Sequence, residues 1–461
     1  MRKLRRPALL VVLLLVLAGC GGDGGDEGGD DKSLTVWSLE DNAERIAKSQ
    51  AIIERFNKAS GMQAKLVAVN EDQFPTLIAN ASAAGDVPDV IGSLSMGNVH
   101  RLVNDDIADQ DAAAAVVDKL GRDTFAARAL ELYTRDGKPV AVPSDGWAQI
   151  LLYRKDLFDK AGLAAPDTYE AIQAAASKLN TGGVAGITAA TKPGDTFTQQ
   201  TFEHLALANG CQLTDDAGKV TLDSPPCVNA IRFYTDLIKN SSVKGGQDVD
   251  TTRATYFAGK AAMIIWSTFI LDELAALRND ALPTCAECKG DPTFLSKNSG
   301  IVTAIKGPDS SEPSGYGEIT GWSITADGNV DGAKRFVEFM LNDGYVDWLG
   351  LAPEGKFPVR GGTKEDPEKF RKGWDALKAG VDKQEPLSSI YPAETLAIIR
   401  NSSETLNRWG FPQGQAALAG ALLGELPVPK ALAEVLDGQA TPEQAAKQAK
   451  ADVEELAQSV K

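Results

Sequence analysis

The sequence predicts an α/β protein of two doubly wound lobes followed by a helical C-terminal region. The chain has 461 residues, 43% apolar and 24% charged, which at roughly 150 residues per domain allows two or three globular units around a large core. Short apolar strands alternate with capped helices between residues 34 and 91, and again after residue 136, the pattern of a parallel sheet with covering helices. From Asp366 onward the pattern is mostly helical. This ordinary composition excludes disorder, collagen-like repeats and coiled coil.

Taken in order, Leu34 to Ser38 reads as a buried strand. Asp41 or Asn42 can cap the next helix, whose Ile46, Ile53 and Phe56 share a face and which Gly61 stops. Residues 62–69 form a second strand, 74–84 a helix ending at Gly85, and Val87 to Ile91 begins a third strand. The turn Asp136-Gly137-Lys138-Pro139 leads into 140–143, and 150–153 is again a strand. Asp167-Thr168-Tyr169-Glu170 offers a capping box to a helix that ends near Asn180, and 184–190 is strand-like. Ala333, Phe336, Val337, Met340 and Leu341 mark a strongly amphipathic helix, and a helix from Thr441 closes the chain.

The N-terminus carries the most specific local signal. Arg2, Lys3, Arg5 and Arg6 precede an unbroken apolar run from Ala8 to Ala18. This is the layout of a secretory signal, too short to cross about 30 Å of hydrocarbon. Leu17-Ala18-Gly19-Cys20 resembles a bacterial lipobox, so residues 1–19 are expected to be a lipoprotein signal peptide and Cys20 the lipidated first residue of the mature chain. Two or three acyl chains hold a soluble domain on a membrane, at about 0.8 kcal/mol per buried CH₂. Residues 20–32 then form a tether: after Cys20 they are only Gly, Asp, Glu and one Lys, with nothing apolar to bury.

Charge and rare residues exclude other classes. The net charge is −16, and removal of residues 1–19 leaves −20. Such a chain lacks the clustered Lys and Arg that a nucleic-acid partner requires. With only His100 and His204, far apart in sequence, no metal site is expected, nor any cofactor. Four cysteines remain after Cys20: Cys211, Cys227, Cys285 and Cys288. In an exported chain they are expected to form disulfides. The simplest pairing is Cys211–Cys227 with Cys285–Cys288, although three connectivities are open. Cys285-Ala286-Glu287-Cys288 has a thiol-redox spacing, but Pro283 before it and Gly290 and Pro292 after it are loop residues, which favours a staple over a redox helix.

Several segments, in consistent order, resemble the extracellular solute-binding proteins of ABC importers, in particular the sugar-binding, maltose-binding-like group. Gly85-Asp86-Val87-Pro88-Asp89-Val90 resembles that family's Gly-x-x-Pro-Asp-Val segment. Gly137-Lys138-Pro139-Val140-Ala141-Val142-Pro143, continuing through 152–163, looks like its hinge-crossing segment, with Arg154 where the family usually has Asn. Phe257-Ala258-Gly259-Lys260-Ala261-Ala262-Met263 and Gly355-Lys356-Phe357-Pro358-Val359-Arg360 are similar to two further elements. The resemblance implies a two-lobed periplasmic-binding-protein fold joined by hinge strands, with lobe I at 33–146 plus about 324–355 and lobe II at 147–323 plus about 356–461. It also implies a monomer on the extracytoplasmic face of the cell membrane, periplasmic where an outer membrane exists. Such a protein closes on its ligand about the hinge. It then delivers that ligand, unmodified, to the transmembrane subunits of a permease, and this chain has no Walker motif of its own.

Sugars present a C–H face to aromatic rings and a rim of hydroxyls to polar groups. On position and resemblance, the expected ligand-binding residues are Trp147, Trp266, Phe269 and Trp322 among the aromatics. The polar set is Glu40, Asp41, Ser93, Ser95, Asp145, Gln199 and Arg360, with Arg360 favoured for its five donors. Glu40 and Asp41 follow the first strand, where doubly wound sheets place ligands, although Asp41 also suits a helix cap. Within the same fold, the alternative ligand is a peptide, a polyamine or another small organic solute. A polyamine would need converging carboxylates, which these mainly aromatic and neutral positions do not supply. A secreted carbohydrate-active enzyme would need two carboxylates flanking a bond, and no persuasive pair is seen.

Overall fold

The computed structural model describes residues 32–460, which form one compact unit; Cys20 and the signal segment lie outside the described residues. Strand Ser33–Ser38 pairs in parallel with Gln63–Ala68 on one side and Val90–Ser95 on the other. Helix Ala43–Ser60 covers this unit through Ile52, Ile53 and Phe56; Asn42 caps it by accepting from the Glu44 N–H at 3.0 Å. Gly61 ends it at φ 73°, a left-handed conformation in which Gly is at no disadvantage.

Two long strands then organise the molecule. Val142–Arg154 and Gly315–Ile324 run antiparallel, pairing Val142 with Trp322 at one end and Ala148 with Gly317 at the other. Beyond that contact they diverge in function. Gly315–Ile324 pairs antiparallel with Val90–Ser95. The far half of Val142–Arg154 pairs with Met263–Ser267 and Ser299–Val302. The two strands therefore pass from one lobe to the other, and the expected all-parallel sheet is a mixed one. In the second lobe the strand-like stretch 184–190 makes only isolated bridges, Ala185 with Ala261 and Thr188 with Ile264.

Residues after 356 do not all join the second lobe. Phe357 and Pro358 pair with Gly146 and Asp145, and Phe370 packs edge-on against Tyr345. The stretch 357–370 therefore packs at the first-lobe end of the crossing strands. The helices Ala416–Glu425, Pro427–Leu436 and Pro442–Ser459 close the second lobe, and their core residues join Leu151, Met263 and Ile265. Among the described residues no single helix is long and apolar enough to cross a membrane. Cys211 is bonded to Cys227 and Cys285 to Cys288, the simplest of the three connectivities.

Candidate functional site

A cavity of about 380 Å³ opens where the first-lobe strands end and the crossing strands pass between lobes. Leu39, Glu40 and Asp41, and Ser93 and Ser95, reach it from the carboxyl ends of two parallel strands, the usual ligand position in such sheets. Asp145, Trp147, Glu318 and Thr320 reach it from the crossing strands, and Phe269, Gly355 and Lys356 from flanking turns.

Its floor is a buried charge hub. Lys356 Nζ lies 2.6 Å from Glu40 Oε1 and 3.0 Å from Asp145 Oδ2, above the ring of Trp348. Arg45 adds a second cation to Glu40 at 3.0 Å. Burial alone would raise the Glu40 carboxyl, but Lys356 and Arg45, with hydrogen bonds from Lys356 and Ser93, hold it at about 2. Burial likewise works against the Lys356 charge, and Asp145 and Glu40 outweigh it, so its pKa is raised. Asp145 also accepts from Trp348 Nε1 at 2.7 Å, Ser144 at 2.7 Å and Thr320 at 2.9 Å. A buried ion group is tolerated only when its hydrogen bonds are filled in this way.

Ser93 shows what this geometry demands of the backbone. It sits at φ 59°, a left-handed conformation unusual for a residue other than Gly, where the ladder shifts register between Ile91 and Leu94. The kink delivers its hydroxyl to Glu40 Oε1 at 2.7 Å. Gly355 answers a different need: a Cβ there would lie 1.9 Å from the Phe269 ring.

Of the residues expected from sequence, Glu40, Asp41, Ser93, Ser95, Asp145, Trp147 and Phe269 line this cavity. Ser95 also caps helix Met96–Asn104. Trp147 and Phe269 are half-exposed neighbours, with ring centroids 6.4 Å apart. Four expected residues are elsewhere. Trp322 is a core residue, 1% exposed, packed on Phe336 and Trp348; by that point the strand is inside the first lobe. Arg360 directs its guanidinium to Thr124 Oγ1 and to the carbonyls of Leu341 and Leu120, so it clasps the first lobe. Trp266 is buried against Phe197 and donates to the Val249 carbonyl. Gln199 is buried on helix Thr196–Ala208 and bonds Glu203.

The sequence reading missed Lys356, Arg45, Asn70, Glu71, Asp72, Glu318 and Thr320. Lys356 stood inside the quoted Gly-Lys-Phe-Pro motif, and a lysine next to a strand that pairs with the hinge was the available signal. The expected shortage of carboxylates is corrected too, since six of them line the cavity. Glu71, at the first-lobe rim, has its carboxyl raised by its crowded surroundings and then by Glu318, Asp72, Glu40 and Asp41. Among the described residues no group of His, Cys, Asp and Glu is arranged to hold a metal.

Two lobes, crossing strands and a polar, aromatic-walled cleft between them define a solute-binding protein. The chain belongs to the bacterial extracellular solute-binding protein family, which matches residues 41–347. YcjN of Escherichia coli strain K12, named as an ABC transporter periplasmic-binding protein, is 30% identical over 76% of this chain and 78% of its own. The cyclic alpha-maltosyl-1,6-maltose binding protein of Arthrobacter globiformis superposes with a TM-score of 0.69 at 18% identity, covering 92% of this chain and 98% of that one. The GacH receptor of Streptomyces glaucescens, solved unliganded and with acarbose, gives 0.65 at 19% identity over 93% and 99%. The chain is thus the solute-binding component of an ABC transporter, with a maltose-binding-protein-like fold.

Proposed function

We propose that the protein binds an oligosaccharide between its lobes and passes it to a membrane permease. The observation that carries this reading is the pairing of Trp147 and Phe269 on a cavity otherwise lined mainly by polar and charged side chains, among them hydroxyls and carboxylates. Aromatic faces and fixed acceptors are the two halves of sugar recognition. The ligands of structurally similar proteins, acarbose and cyclic maltosyl-maltose, support it. We take Glu40, Asp41, Ser93, Ser95, Asp145, Trp147 and Phe269, with Glu318, Thr320 and Lys356, as the ligand-contacting set. We place the lobe crossing at Trp147 and Glu318. We propose binding without catalysis: glycoside hydrolysis needs a carboxyl that delivers a proton beside a second carboxyl, and Glu40 at the floor is held ionised, while Glu71, whose carboxyl is raised, lies out at the rim. Export follows from the family, and anchoring through a lipid on Cys20 completes the proposal.

A thermal-shift screen with maltose, maltotetraose and acarbose tests it. Ligand at 100 times Kd adds about 2.7 kcal/mol of stability; no shift with any saccharide would reject the reading. A second reading has its own observation, since Asp41, Glu71 and Asp72 crowd one rim. Spermidine in the same screen distinguishes a cationic solute from a sugar.

A further inference from the structure

The polar surface of the cleft does not stop at Trp147. Side chains on a strand alternate between faces, so the face bearing Asp145 and Trp147 continues to Gln149, and the face bearing Thr320 and Glu318 continues to Tyr316. Trp147 and Tyr316 are in contact, with ring centroids 6.2 Å apart. Helix Thr196–Ala208 packs over this region. The Arg408 guanidinium lies 5.0 Å from the Tyr316 ring and 3.5 Å from Glu203 of that helix. Gln199, one turn before Glu203, donates to it at 3.4 Å.

The one cation in this group is already engaged. Arg408 pairs with both Glu318 and Glu203, and Glu203 also accepts from the Trp409 N–H at 2.8 Å. The neutral groups are not. Gln149 and Gln199 are each 0% exposed. Neither amide atom of Gln149 has a partner, nor does Gln199 Oε1 or the Tyr316 hydroxyl. Buried polar groups are hydrogen-bonded as a rule, and leaving them unpaired is costly. A lobe that had only to fold would be better served here by apolar side chains. Instead it keeps a neutral set of donors and acceptors: Tyr316 against the ring that walls the cavity, Gln149 next on the strand face of that ring, and Gln199 on the covering helix. An unpaired amide offers one donor and one acceptor side by side, and adjacent sugar hydroxyls, each both donor and acceptor, match it.

We propose that Gln149, Gln199 and Tyr316 form an inner, uncharged subsite of the cleft, screened by Trp147 in this conformation and occupied by vicinal hydroxyls of the deepest sugar residue when ligand is bound. The proposal rests on the saccharide reading above. An anionic group is disfavoured at this depth, because Arg408 is already engaged by two carboxylates, Glu203 and Glu318. Entry requires the Trp147 ring to swing aside, so the same residue stacks the sugar and admits it.

Calorimetric titration of wild type, Gln149→Leu, Gln199→Leu and Tyr316→Phe with maltotetraose and acarbose, beside ligand-free melts, tests the subsite. Gln149→Leu is expected to melt at or above the wild-type temperature, because neither of its amide atoms has a partner, whereas Gln199→Leu also gives up its bond to Glu203 and is expected to melt slightly lower. Both should bind at least tenfold more weakly, a loss of about 1.4 kcal/mol. Tyr316→Phe keeps the ring against Trp147 and decides the matter if a Leu variant fails to fold; it should lose affinity several-fold. Variants that keep wild-type affinity, with or without a gain in stability, overturn the subsite while leaving the saccharide reading intact. Wild type that binds neither sugar overturns both.

Discussion

Two sets of buried carboxylates flank one short turn of chain, and they behave in opposite ways. At the cleft floor Glu40 and Asp145 share Lys356, and Glu40 stays ionised with a pKa of about 2. Two residues before Lys356, Glu354 belongs to another set with Asp272 and Glu273. Asp272 is 1% exposed, and neither of its carboxylate oxygens has a partner. Burial, then the charges of Glu354 and Glu273, push it up to about 8 against the opposing pull of Arg278. Glu273, although Arg253 reaches it at 2.7 Å, is raised to about 7, chiefly by burial. Burial is common to both sets, so burial does not decide the charge. The difference is a fully buried cation between the two carboxylates of the cleft set, which the Asp272 set lacks. The floor therefore carries fixed charge, while the turn behind it holds protons.

The comparison breaks most directly at Lys356. Lys356→Met removes the only cation on Asp145 and one of two on Glu40, and losing one partner of a buried pair costs about 3–5 kcal/mol. Chemical denaturation should show that loss, and saccharide binding should vanish with it. A stable variant whose binding is intact would mean that the hub is solvated and dispensable.

The tryptophans sharpen the same contrast between a cleft and a core. Trp322→Ala should cost about 3–5 kcal/mol of stability, with the folded fraction binding ligand normally. Trp147→Ala should do the reverse, leaving the melt nearly unchanged and weakening binding by about 2 kcal/mol or more, near 30-fold. If both variants lose stability alone, Trp147 is not a stacking platform.

Much of the first lobe was legible because local rules set it. Asn42 and Gly61 bound a helix by capping chemistry that no distant contact alters. The cleft residues at strand ends, Glu40, Ser93 and Ser95, followed from topology in the same way. What failed depended on where a strand crosses between lobes. Trp147 and Trp322 stand in similar sequence surroundings, yet they lie at opposite ends of the crossing segment, and the pairing register alone separates them. Arg360 misled for a related reason, since its donors are occupied by carbonyls 19 and 240 residues away. Lys356 was missed despite its motif because its partners, Glu40 and Asp145, are also remote in sequence.

The smallest expected effect lies in the proton-holding set, and its sign is fixed by linkage. In the unfolded chain Asp272 ionises near the ordinary value of about 4. In the folded chain it holds its proton to about 8. Between those values the native state binds a proton that the unfolded state lacks, so the contribution of Asp272 to stability is greatest below pH 4 and declines as pH rises toward 8. Asp272→Asn cannot ionise and removes that decline. One pKa unit is worth about 1.4 kcal/mol, and Glu354 remains to hold a proton beside it. The variant should therefore match wild type near pH 4 and exceed it above pH 7 by on the order of 1 kcal/mol. Denaturant melts across pH 4 to 8 give both slopes. Parallel curves would mean that Asp272 is ionised in the folded protein, and a cation would then have to neutralise it there, as Lys356 does at the cleft floor.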